Sequence, residues 1–218
     1  MPMSPLREAI IVYVVSFVIP PIFYVTLPLE FLVSNAYIFG TFLEFFLVGF
    51  LCILFAFLNH DSGKIDGLTS EGLNKSLTFG IVLIAFHASF RYASGTAIFE
   101  PKLQALTQSL AQPFPYNIGF ALFSGFAYGP LEVFYVVFLA VRFDQALGVA
   151  SRRVVSKGTI ITAVLFGLLH IGNIVFFGPL VIVNVVKSII LALVLMTIFR
   201  YTGCSLGPML YWTFTNLS

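Results

Sequence analysis

Charge is what this sequence has least of. Its 218 residues include 11 Lys+Arg and 9 Asp+Glu, 9% in all, where a soluble globular domain carries about a quarter. So little polar material cannot wet the outside of a folded domain, which excludes a soluble enzyme and a disordered tail. The net charge of +2 gathers no basic patch for a nucleic acid. Cysteine is scarce as well: Cys52 and Cys204 lie beside or within apolar runs, without CxxC spacing, so no disulfide framework or zinc knuckle can be read. No repeat of solenoid length and no separate soluble domain is visible. What is present in abundance is hydrophobic, 59% of residues, with a mean hydropathy of +1.02. The expectation is an all-α polytopic transmembrane bundle, one membrane domain over 1–218, crossing a cell membrane several times.

A membrane helix needs about 20 mostly apolar residues. On that measure the chain divides into about seven spans, within a range of six to eight: 9–27, 37–58, 76–94, 117–141, 159–177, 179–199 and 205–217. The first follows Arg7 and Glu8, is interrupted by Pro20-Pro21 and lacks a small-x-small cleavage site, so it is expected to be retained. The polar stretch 95–116 is expected outside the spans or lying on the surface as an amphipathic segment. Lys and Arg concentrate in cytoplasmic loops. With a cytoplasmic N-terminus the inner segments hold Arg7, Lys64, Lys75, Arg142, Arg152, Arg153, Lys157 and Arg200, and the outer ones only Arg91 and Lys102.

An ionisable group within hydrocarbon costs at least ~2.5–3.5 kcal/mol on insertion scales, so it faces protein or water and marks function. Six such residues stand out, Glu44, His87, Arg91, Glu132, His170 and Lys187, with Asn173, Asn184 and Asn216 adding neutral polar groups. At a rise of ~1.5 Å per residue, Glu132 lies roughly 15 Å from Arg142, His170 roughly 20 Å from Lys157 and Trp212 roughly 18 Å from Arg200. Residues of five or six spans thus share one layer near mid-membrane. Glu132 and His170 are the pair able to do chemistry. A carboxylate withdrawn from water is a stronger base, and a neutral imidazole beside it orients water or ligates a metal. Pro130 predicts a helix start or kink that leaves backbone groups unpaired near the carboxylate. The plainer reading has Glu132 pair with Lys187 or Arg91 to neutralise buried charge. It makes Glu44, His87 and Arg91 a second neutralising network, Arg91 following His87 by four on one helix face. His60 falls in a polar loop.

The run Ala163-Val-Leu-Phe166-Gly-Leu-Leu-His170-Ile-Gly-Asn173 resembles the F-x-x-x-H motif of the CPBP family, the CAAX-prenyl-protease and bacteriocin-processing intramembrane proteases. Tyr201-Thr202-Gly203-Cys204-Ser205-Leu206-Gly207-Pro208, through Trp212 and Asn216, is similar to that family's last motif, H-x-x-x-N after Thr-Gly. Asn216 then falls on the family's asparagine and Trp212 on its histidine. Gly129-Pro130-Leu131-Glu132 resembles the entry to the first motif, E-E-x-x-x-R, although Val133 follows Glu132 and no arginine appears until Arg142. The resemblance covers 117–217. It implies an intramembrane endopeptidase that cuts near a lipidated or apolar chain end entering from the cytoplasmic leaflet. Glu132 and His170 would activate water, Asn216 would donate to the oxyanion with the Trp212 indole as second donor, and Phe166 and Asn173 would line the site. Zinc is admitted by the resemblance rather than required, with Glu132, His170 and His87 as its ligands.

Two other readings use the same residues. The departures at Val133 and Trp212 suit a catalytically degenerate relative that binds a partner protein or a lipid through the same cavity. A plane of Glu, His, Lys and Asn also suits a proton or ion pathway, though no inverted repeat accompanies it.

Overall fold

A computed structural model describes residues 3–58, 67–96, 107, 110–149, 154–173, 179 and 181–217. Within them all regular structure is helical. Helix α1 (Pro5–Thr26) opens with proline, whose missing N–H would have no partner there. It runs through Pro20-Pro21 as one helix, without the interruption those prolines predict. Helix α2 (Leu29–Leu43) continues through a π segment (Glu44–Phe50) into α3 (Leu51–Leu58). Helix α4 (Leu73–Ala93) starts after Gly72, whose φ of +73° suits glycine. Helix α5 (Tyr116–Phe126) passes through a second π segment (Ala127–Leu131) into α6 (Glu132–Ala146). Helix α7 (Lys157–Leu169) closes into a 3-10 turn (His170–Asn173), and α8 (Val181–Thr202) and α9 (Leu206–Leu217) complete the described chain.

Five stretches are long and apolar enough to cross a membrane: Pro5–Phe23, Ile38–Leu58, Leu73–Ala93, Tyr116–Ala146 and Val181–Thr202. The chain is a helical membrane protein. The stretches 159–177 and 205–217, also expected as spans, appear as helices of 13 and 12 residues. At a rise of about 1.5 Å per residue these are about 20 and 18 Å long, short of a hydrocarbon core of about 30 Å. The first is cut short where the chain tightens at His170-Ile-Gly-Asn173. The second is set off by the turn at Gly203, φ +76°.

Helix α6 is the hub. An 18-residue window within Tyr116–Ala146 is 67% buried inside the protein, against 11–33% for the corresponding windows of the other four. Every residue from Glu132 to Asp144 is buried. Helices α1, α7, α8 and α9 and the first π segment pack around it. Outward faces are apolar, as on α8, where Ile182, Val183, Val186 and Ile190 are exposed; lipid is the solvent that suits them.

At one end of the bundle, buried ion pairs fasten four helices. Arg142 Nε lies 2.8 Å from Glu8 Oε2, joining α6 to α1, with the Arg142 guanidinium over the Phe138 ring at 4.6 Å. Asp144 Oδ1 accepts the Gly158 N–H at 2.8 Å in the first turn of α7, and Asp144 Oδ2 pairs with Arg200 of α8. Ser156 caps the same turn by accepting from the Thr159 N–H at 3.0 Å. Elsewhere α4 and α9 touch through small residues. Ser76 Oγ donates to the Cys204 carbonyl at 2.7 Å and accepts from the Gly207 N–H at 2.9 Å. A Cβ on Gly207 would stand 1.9 Å from the Ser76 carbonyl oxygen, so only glycine lets the backbones approach this far.

Asp144→Ala leaves Arg200 buried without that carboxylate and uncaps α7. It is expected to lower stability by about 3–5 kcal/mol, read as a fall in the unfolding midpoint in detergent micelles. Gly207→Ala forces α4 and α9 apart and lowers the midpoint by about 1–3 kcal/mol equivalent. An unchanged midpoint for either variant contradicts the account of these two contacts.

Candidate functional site: a carboxylate held by an indole and an amide

The site is built on the break in the long α5–α6 rod. Pro130 has no N–H to donate and its ring crowds the carbonyl four residues back, and the chain answers by widening into the π segment Ala127–Leu131. The Glu132 N–H turns to the Gly129 carbonyl, and Glu132 then opens α6 as a buried side chain. Gly129 also lets α9 come close, because a Cβ there would lie 2.3 Å from Thr213 Oγ1. Trp212 and Asn216, four apart, face the break from α9.

Both of them hold Glu132. The Trp212 Nε1–H donates to Glu132 Oε2 at 2.6 Å. The Asn216 amide donates to the same oxygen at 3.3 Å and also to the Tyr128 carbonyl. From α7, the Phe166 ring packs edge-on against Trp212 at 5.9 Å and against His170 at 5.0 Å. His170 Nδ1 lies 3.0 Å from the Phe166 carbonyl. A carbonyl can only accept, so Nδ1 carries the hydrogen and Nε2 of the neutral ring is left as an acceptor. Four of the expected site residues, Glu132, Trp212, Asn216 and Phe166, thus form one contact chain, and His170 joins it through Phe166.

A second acid approaches from the other π segment. A Cβ on Gly49 would stand 2.5 Å from Leu131 Cδ1, so the two π segments lie in direct contact, and Glu44 begins the first as Glu132 follows the second. Glu44 interacts electrostatically with Glu132 and with Tyr135. Tyr135 is fully buried, on the face of α6 one turn along from Glu132.

Other expectations are corrected. The Glu132 carboxylate takes its hydrogen bonds from Trp212 and Asn216 rather than an ion pair with Lys187 or Arg91. Lys187 stands exposed on the outward face of α8, near enough to His170 to act on it electrostatically. Glu44, His87 and Arg91 do not gather into one network. His87 packs edge-on against Tyr211 and Phe214 of α9 at 6.2 and 5.6 Å, while Glu44 lies within electrostatic range of Glu132 and Tyr135. Arg91 is buried in the last turn of α4, its carbonyl accepting from the Ser94 and Thr96 hydroxyls. Glu132, His170 and His87, the expected zinc ligands, have separate partners. Among the described residues no three His, Cys, Asp or Glu side chains are grouped to hold a metal ion. Asn173 closes the 3-10 turn, but its side chain, like all of His60, lies outside what is described.

The expectations missed two contributors. The Tyr128 carbonyl is a backbone group, foreshadowed only by Pro130 two residues on. Tyr135 reads as one more aromatic in an apolar run, and its period of three from Glu132 was the available sign. Compared with known proteins, the chain matches no family model, no curated protein and no solved structure.

Trp212 is the only tryptophan in the sequence, so its fluorescence reports this site alone. Glu132→Leu removes the acceptor beside the indole N–H and is expected to move the emission to shorter wavelength. An unchanged spectrum means that the indole does not bond to Glu132 in the membrane.

Proposed function

We propose that the chain is an intramembrane endopeptidase of the kind its CPBP-like motifs imply, crossing a cell membrane about seven times with a cytoplasmic N-terminus. What supports this reading is that the three motif segments meet on one carboxylate: Trp212 and Asn216 donate to Glu132, and Phe166 links Trp212 to His170. The substrate is a lipidated or apolar chain end that reaches the site through the lipid. Glu132 takes a proton from a water that also donates to His170 Nε2, and the water oxygen bonds to the scissile carbonyl carbon. Once protonated, the carboxyl no longer needs two donors. The Trp212 N–H is then released towards the oxyanion forming beside it. Collapse breaks the C–N bond, and Glu132 returns the proton to the departing amine.

One observation favours a second reading, a catalytically degenerate membrane protein that binds a partner or a lipid. The indole has one N–H and the amide two, and all three already serve Glu132 and the Tyr128 carbonyl.

Cleavage of lipidated and apolar-ended peptides by the protein in proteoliposomes separates the two. Under the peptidase reading Glu132→Gln lowers the rate by about 10²–10⁴-fold and Trp212→Phe by about 10²–10³-fold, with folding intact. Absence of cleavage by the unaltered protein, with a lipid or partner co-purifying and lost on substitution at Trp212, establishes the second reading instead.

A further inference from the structure

We infer that Asn216 is a positioning residue, a splint between the Pro130 break and the Glu132 side chain, rather than an oxyanion donor in its own right. Its consequence for catalysis rests on the peptidase reading; its structural content does not.

Three observations carry the inference. The first is where the backbone turns. In a regular helix the Glu132 N–H would serve the Tyr128 carbonyl four residues back, but here it is directed to the Gly129 carbonyl. The second is a side-chain bond onto the same turn. The Asn216 Nδ2 group donates to the Tyr128 carbonyl and, with its other hydrogen, to Glu132 Oε2. One amide therefore spans the π segment, from a backbone group before Pro130 to the side chain after it. The third is how the amide is aimed. Gly129 packs against Thr213, three residues before Asn216 on α9, so the helix carrying the amide is pressed onto the segment it bridges.

A side-chain amide has two hydrogens, and both are committed. Loss of either bond frees the turn to relax and lets Glu132 leave the Trp212 indole. Asn216 thus acts on the chemistry through Glu132. An amide whose task was the oxyanion would keep a hydrogen aimed away from the acid.

The test uses the full chain in micelles and needs no substrate. Asn216→Ala is expected to speed amide hydrogen exchange across 127–132 about tenfold, the factor that loss of about one hydrogen bond implies. It is also expected to shift Trp212 emission to shorter wavelength, as Glu132→Leu does. Asn216→Asp, which keeps the shape and removes the amide hydrogens, gives the same readouts if the alanine variant folds poorly. Pro130→Ala restores the missing backbone N–H and lets the turn close. Asn216→Ala added to it should therefore change exchange far less than it does alone, a non-additivity that a general packing role would not produce. Folded Asn216 variants with exchange and emission unchanged overturn the splint. If their cleavage nevertheless falls, Asn216 is the oxyanion donor and the peptidase reading stands without it. If cleavage is absent throughout while exchange and emission respond, the splint stands and the peptidase reading falls.

Discussion

A carboxylate withdrawn into the middle of a membrane protein keeps its place only if donors are brought to it from other helices, because neither water nor lipid can supply them. Glu132 meets that condition with an indole and an amide spaced one turn apart on α9. Much of the surrounding architecture follows from it. The break at Pro130 turns the Glu132 N–H back on Gly129, and glycine at 129 lets α9 approach. The small residues of α4 then hold α9 from behind, through Ser76 and Gly207.

The two ends of α6 do opposite work. At one end Arg142 and Asp144 form ion pairs with Glu8 and Arg200, which makes that end a clamp on α1, α7 and α8. At the other end regular helix gives way to two touching π segments, with Glu44 and Glu132 at their margins. Local departures of this kind concentrate at functional sites because they hold side chains at angles a regular helix forbids. A clamp about three turns from an irregular acid site keeps the helices in register while leaving the site its own geometry.

Much of this was legible in the letters. The scarcity of charge fixes the medium, and five of the seven expected apolar runs overlap the long stretches that can cross a membrane. Glu132 and Asn216 could be singled out because a polar group in an apolar run has no bland explanation as simple solvent exposure, whereas Phe166 and Trp212 were marked only by their places in the motifs. The neutral pairings were harder. Matching Glu132 with Lys187 or Arg91 assumed that opposite charge decides partnership, whereas here shape and helix face decide it. His87, counted with the acids, lies among the aromatic rings of α9. The Tyr128 carbonyl is invisible to any reading of side chains.

By itself, then, the order of residues determined the membrane setting and the helical segments, because hydrophobicity and backbone hydrogen bonding are satisfied locally along each segment. Only the tertiary structure decided who meets whom. A residue's helical face depends on every turn before it, and the widening at Pro130 resets that phase for all of α6. With the phase reset, the buried acid meets an indole and an amide rather than a cation.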